Sequence, residues 1–292
     1  MRYILLLGIA LAPLLVSSLT CTENDSPVPI REMGIAGNGV TLHMRIAGDP
    51  ESGNVLIANH GGPGLCSHYM ASLEQLAGED FAVVTYDQRG TCRSSTPSNG
   101  YDMLNYIADL EAVRASVGIE KVHLLGHSWG GLVAMIYAAV HPEHVRSIVL
   151  ASSGPPSWQA VQAGYEYRAQ RIAALQQQGL IPQIITALED ILPAYFSDPA
   201  FELPDELKEM HYNPAVEQQT FTTLGDYDFT AEVATIIHPV LLLWGQDDPF
   251  GLSTGQAAAS ALSSAKVEFV LLKECGHFWQ ECPDEFFSRI RE

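Results

Sequence analysis

VHLLGHSWGG, residues Val122 to Gly131, decides how the rest of the chain is read. Its first half, Val122 to Gly126, is a short aliphatic run ending in glycine, as a buried strand requires. From Trp129 to Ala139 the apolar residues fall at three- and four-residue spacing instead, as a helix requires. Between the two, Gly126, His127, Ser128, Trp129 and Gly130 spell G-x-S-x-G. The small residues let the chain turn sharply from strand to helix and push the Ser128 hydroxyl into the open. The pentapeptide is common by chance, so its weight comes from this strand-turn-helix setting. A serine hydroxyl is a weak nucleophile at neutral pH, and a site built on Ser128 therefore needs a base and a carboxylate that orients it.

Outward from this turn, β-rich runs alternate with helical patterns. Ile30 to Ala36 and Val40 to Ala47 flank Gly37, Asn38 and Gly39, which suit a tight hairpin turn. Further runs lie at Val55 to Asn59, Phe81 to Tyr86, Ser147 to Ala151, Val240 to Trp244 and Val267 to Leu272, and Tyr101 to Val117 reads as another crossover helix. Near-continuous apolar strands separated by helices predict an α/β fold, a mostly parallel sheet covered on both faces. The alternation breaks from Gly154 to Ile237, where helical patterns continue without a convincing strand between Gly154-Pro155-Pro156 and His238-Pro239. That span, 154–237, is expected to be a helical cap inserted into a core of 30–153 and 238–292. It belongs over the carboxyl ends of the strands, where open α/β sheets bind ligands.

The partners of Ser128 follow from position. His277, in Cys275-Gly276-His277 after the last strand, is the expected base. His127 neighbours the serine on the strained turn and is expected to point away from it; His43, His141, His144 and His238 read as structural or surface residues. Asp247 and Asp248 both follow the strand Val240 to Trp244, and Asp248 is chosen as the orienting carboxylate, leaving Asp247 to cap the next helix. The order Ser, Asp, His is that of the α/β-hydrolase fold. Oxyanion donors are expected from the N–H of Trp129 and from the turn His60-Gly61-Gly62-Pro63-Gly64, with Gly62 preferred over Gly61.

Bulk properties bound the answer further. A chain of 292 residues with 47% hydrophobic content has ample material for a core. With 34 Asp and Glu against 15 Lys and Arg, its net charge of −19 disfavours nucleic acid and anionic membranes as partners. Zinc-ligand spacings, a P-loop and internal repeats are missing from the sequence, and no metal or cofactor is expected. Residues 1–20 combine Arg2, an apolar run from Ile4 to Val16 and small polar residues, the layout of a secretory signal peptide rather than a membrane span. The protein is therefore expected to be exported, periplasmic or secreted. Cys21 leaves a lipid anchor open, although Leu19 and Thr20 do not suit the usual cleavage site. In an oxidising compartment Cys66, Cys92, Cys275 and Cys282 can pair in three ways.

HGGPG at His60–Gly64, DQRG at Asp87–Gly90, GHSWGG at Gly126–Gly131, G-x-x-D at Gly245–Asp248 and Gly276-His277 together resemble the proline iminopeptidase-like α/β hydrolases. The resemblance runs from Ile30 to the C-terminus. It implies removal of an N-terminal residue, often proline or a small apolar one, through an acyl-enzyme and without cofactor. Recognition of a free amine calls for carboxylates, and the 154–237 span carries twelve acidic residues against three basic ones. No cap glutamate matches a family motif, however, and Pro249 stands where some relatives carry an acidic residue. The cysteines also depart from the family: Cys66 follows HGGPG and Cys92 follows DQRG, so a Cys66–Cys92 bridge and a Cys275–Cys282 bridge around His277 are expected. An esterase or other acyl hydrolase on the same triad is the alternative, and a non-catalytic binding protein the third reading. Dehalogenase and epoxide hydrolase chemistry is disfavoured, because those relatives carry Asp where Ser128 stands.

Overall fold

The computed structural model describes residues 28–292. The expected signal peptide and Cys21 lie outside the described residues. Eight strands form one sheet: β1 (Ile30–Ala36), β2 (Thr41–Ala47), β3 (Val55–Asn59), β4 (Ala82–Tyr86), β5 (Val122–His127), β6 (Val145–Ala151), β7 (Val240–Gly245) and β8 (Val267–Leu272). Their order is β1-β2-β4-β3-β5-β6-β7-β8. The first hairpin and the β2–β4 pair are antiparallel, and every pair from β4 to β8 is parallel. Every residue of β3 and β4 is buried, which is why both read as unbroken apolar runs.

Alternation within β5 builds two cores. Leu124 faces one with Leu110, Val133 and Tyr137, from helices α1 (Met103–Ser116) and α2 (Trp129–Val140). Leu125 faces the other, with Tyr69, Leu73 and Phe286, the last from α8 (Pro283–Arg291). Each such side chain, fully buried, stabilises the fold by about 2 kcal/mol. The β6 strand begins at Val145, two residues before the expected Ser147. Exposed Arg146 interrupts the apolar pattern there, and the pairing with β5 shifts register between Val122 and His123.

Between β6 and β7 the chain carries no strand of the sheet. It runs through α3 (Trp158–Gln177), α4 (Asp205–Lys208), α5 (Pro214–Leu224) and α6 (Thr230–Val233) before β7, and α7 (Leu252–Ala261) follows that strand. Ser157 starts α3 with a side-chain cap to the Ala160 N–H, and Asn213 caps α5 through the Ala215 N–H with Pro214 at the first helical position. An isolated bridge between Tyr212 and Leu65 joins this segment to the loop after β3. No helix among the described residues is long and apolar enough to cross a membrane.

Candidate active site

Ser128 stands between the last residue of β5 and the first of α2, at φ 52° and ψ −122°. Such a conformation is strained for a residue with a Cβ and persists because both flanking elements are fixed by the core. Gly130 makes the turn possible on its other side: a Cβ there would overlap the backbone of Asn59 and His60, so α2 lies directly on the end of β3. Ser128 is half-buried, and its carbonyl accepts the N–H groups of Gly131 and Gly154. The Trp129 N–H, at the first position of α2, is one of those a helix leaves without an intrahelical acceptor.

His277 and Asp248 meet as the sequence suggested. The Nδ1–H of His277 donates to Asp248 Oδ2 at 2.8 Å, with the two residues 5% and 1% exposed. Asp248 also accepts the Phe250 N–H at 2.8 Å, which leaves the carboxylate partnered on both oxygens. Asp247 does not cap the following helix, whose N-cap is Gly251; it accepts a hydrogen bond from Ser197 Oγ at 2.7 Å. The loop bearing His277 is tied on three sides. Its own N–H donates to the Tyr195 carbonyl at 2.7 Å, the Gly276 N–H donates to Glu281, and Cys275 is bonded to Cys282.

The HGGPG loop is held with equal care. Gly62 has φ 119° and no room for a Cβ, which would lie 2.6 Å from the Gly64 nitrogen. His60 is fully buried and donates through Nδ1 to the Gly61 carbonyl, while its Nε2 accepts the Gln88 N–H at 2.9 Å. Burial pushes its pKa down, in keeping with a neutral ring. Gln88 extends the frame, donating to the His60 carbonyl and accepting the Trp129 indole N–H at 2.9 Å. Asp87 accepts from the backbone and hydroxyl of Ser67, and Arg89 pairs with Asp109 at 2.8 Å with both side chains buried. Cys66 is bonded to Cys92, their Cα atoms 5.8 Å apart. DQRG thus buttresses the glycine loop and the serine turn together.

His127 has a role the sequence did not show. The Gly61 N–H donates to the Tyr69 hydroxyl at 2.6 Å, the hydroxyl donates to His127 Nδ1 at 2.7 Å, and His127 Nε2–H donates to the His277 carbonyl at 2.9 Å. Only a ring protonated at Nε2 alone satisfies this chain. Burial first, and the nearby His277 second, hold the His127 pKa well below its ordinary value, which keeps the ring in that form. The chain connects the glycine loop to the His277 loop through the residue next to Ser128.

Two cavities meet at Gly62, Ser128 and His277. One, of about 60 Å³, is walled by Trp129, Phe221, Tyr227, Trp244 and Phe250 and contains no carboxylate. The other, of about 210 Å³, is walled by Leu192, Tyr195, Met210 and Tyr212 and holds one carboxylate, Glu217, and one guanidinium, Arg168. Of the twelve acidic residues between 154 and 237, Glu217 alone lines either cavity. It accepts a hydrogen bond from the Tyr212 hydroxyl; burial pushes its carboxyl up, and the Arg168 charge pulls it partly back. No motif marks Glu217, and only its place in the first turn of α5 could have singled it out.

The alpha/beta hydrolase fold family matches residues 54–281 of the chain. A proline iminopeptidase of Lactobacillus helveticus (strain DPC 4571) is 28% identical over 282 residues, covering 87% of this chain and 94% of that one. A proline iminopeptidase of Levilactobacillus brevis is 31% identical over 239 residues, 70% of this chain and 77% of its own. The crystal structure of a Mycobacterium smegmatis proline iminopeptidase superimposes with a TM-score of 0.67 at 20% identity, covering 89% of this chain and 96% of that one, a likeness of fold alone. With a glycine loop, a strained serine and a carboxylate–histidine pair in this order on this sheet, the chain belongs to the α/β-hydrolase fold family, where its relatives include proline iminopeptidases.

Proposed function

We propose that the protein is a serine aminopeptidase that removes an N-terminal residue, proline or a small apolar one, through an acyl-enzyme. The observation that carries this reading is Glu217, among the described residues the one carboxylate in the cavities that Ser128 and His277 line. A half-buried carboxylate beside a nucleophile suits a substrate that brings its own cation, and an N-terminal ammonium is such a cation. The aromatic cavity on the other side of Ser128 suits the apolar ring or side chain of the same residue.

In the reaction, Ser128 Oγ attacks the carbonyl carbon of the first residue while His277 Nε2 takes the hydroxyl proton. Asp248 fixes the tautomer and stabilises the imidazolium. The N–H groups of Gly62 and Trp129 receive the oxyanion. Collapse breaks the C–N bond, and His277 returns the proton to the departing amine. Water then attacks the ester by the same route, releasing the residue and restoring Ser128. The 154–237 segment acts as the cap that supplies Glu217 and Arg168. Export to an oxidising compartment, with residues 1–20 as the signal, accords with the pairing of Cys66 to Cys92 and Cys275 to Cys282.

A fluorophosphonate probe with peptide mapping, alongside turnover of prolyl arylamide and p-nitrophenyl ester, tests the reading. Labelling at Ser128 with arylamide cleavage, both abolished in S128A, is expected. Ester turnover without arylamide cleavage would assign an esterase, and no labelling a binding protein.

A further inference from the structure

Arg168 and its neighbour one helical turn on, Arg171, are used in opposite ways. Arg171 spends its guanidinium on the fold: Nε donates to the Ala194 carbonyl at 2.9 Å and Nη2 to the Phe196 carbonyl. Arg168 has five N–H groups of its own but among the described residues makes one hydrogen bond, from Nη1 to the Tyr195 hydroxyl at 2.7 Å. Aromatic faces set its position. The guanidinium carbon lies 4.8 Å from the Tyr165 ring centre and 5.3 Å from that of Phe250, and both rings also line the two cavities at Ser128.

Among the described residues no carboxylate oxygen comes within the 4.0 Å of an ion pair with Arg168. Glu217 shares its cavity and is engaged by Tyr212 instead. The two opposite charges are near enough for Arg168 to pull the Glu217 pKa down, yet they do not close on each other. A planar fork held over aromatic rings at a cavity wall, with donors left unspent, is the form in which arginine receives a carboxylate. A lone amine entering this cavity would be attracted by Glu217 and repelled by Arg168. A zwitterion would be attracted by both.

We propose that the preferred substrate is a dipeptide with free termini, its ammonium held by Glu217 and its C-terminal carboxylate by Arg168. This deepens the aminopeptidase reading and rests on it. Two extended residues reach at most about 7 Å, so the two charges of a dipeptide fit within one cavity. Lengthening the peptide carries its carboxylate past the guanidinium. Arg168 is thus a specificity residue for the leaving amino acid, distinct in effect from the groups that act on the scissile bond.

The test measures kcat/KM for prolyl-alanine, prolyl-alaninamide and prolyl-alanyl-alanine with the intact protein, R168Q and R168K. The first two substrates share a scissile bond and differ in the terminal charge. In the wild type the acid is expected to exceed the amide by about tenfold or more, mainly through KM, with the tripeptide well below the dipeptide. The acid-to-amide ratio should fall towards one in R168Q, and R168K should keep part of it as a charge without the fork. Equal rates for acid and amide in the wild type would overturn the inference without needing any variant, as would a ratio that survives in R168Q. Cleavage of prolyl arylamide with no acid preference would remove this inference alone. Hydrolysis of a p-nitrophenyl ester with none of the amine substrates cleaved would remove the aminopeptidase reading and this inference with it.

Discussion

Replacing Tyr69 by Phe deletes one oxygen and strips two hydrogen bonds from the centre of the site. The fully buried hydroxyl accepts the Gly61 N–H at 2.6 Å and donates to His127 Nδ1 at 2.7 Å. The Gly61 N–H is left without its acceptor and His127 Nδ1 without its donor. His127 cannot compensate by moving its proton to Nδ1, because its Nε2 would then face the His277 carbonyl as a second acceptor. Each unsatisfied buried group costs about 1–3 kcal/mol, so Tyr69→Phe, which orphans two, should lose about 2–6 kcal/mol of stability. Tyr106→Phe is the control: its hydroxyl meets only Thr220 Oγ1 at 2.8 Å, and about 1 kcal/mol is expected. Equilibrium denaturation reads both as a change in midpoint at constant slope. Activity separates the two further. Tyr69 is bonded to the residue before Gly62 and, through His127, to the His277 carbonyl, so kcat should fall about tenfold with KM little changed. A loss below about 0.5 kcal/mol, or a loss no larger than that of Tyr106→Phe with kcat intact, would show that the Tyr69 hydroxyl does not hold the two loops.

Asp248→Asn should lower kcat by about 10⁴ by spoiling the His277 tautomer, whereas Asp247→Asn, at a carboxylate bonded to Ser197, should stay within about threefold of wild type because that group does not touch His277. His60 and His127 both have folded pKa values pushed down by burial, so the unfolded chain binds more protons than the folded one as pH falls. Stability should therefore drop by about 1.4 kcal/mol per pH unit for each below about pH 6.5, and a flat profile from pH 7.5 to 5.5 in denaturation experiments would contradict the neutral assignment. Removing the Cys66–Cys92 bridge, with partners 26 residues apart, should destabilise by about 3.5 kcal/mol, against about 2.5 for the Cys275–Cys282 bridge with its separation of 7; thermal melts of the paired serine variants check the order.

The sheet was legible because β3, β4 and β5 need both faces covered, which forces runs such as Val55 to Asn59 to be apolar throughout. The position of Ser128 on the turn after β5 and the meeting of His277 with Asp248 were legible because each residue follows a strand at an offset that the turn chemistry fixes. Tyr69 and Glu217 were not. The first lies in a 3-10 segment whose contact with His127 spans 58 residues, and no local pattern encodes such a pairing. The acidic excess between 154 and 237 pointed to carboxylates that could meet a free amine without saying which, and most of them, Glu166, Asp198 and Glu232 among them, are exposed. What distinguishes Glu217 is that α5 places it on the wall of the Ser128 cavity, and helical periodicity is silent on which face of a helix meets a cavity. The outcome for Asp247 has the same origin: a choice between adjacent carboxylates is settled by Ser197, 50 residues away.

On the proposed function, the cavity at Ser128 reads a cationic N-terminus through Glu217. The most direct measurement is the ratio of kcat/KM for prolyl arylamide over N-acetylprolyl arylamide, in the wild type and in Glu217→Gln. The ratio should be large in the wild type and fall by about tenfold or more in the variant, the loss of one charge-assisted hydrogen bond. Equal cleavage of the free and acetylated substrates, or a ratio that Glu217→Gln leaves unchanged, would show that Glu217 does not read the amine.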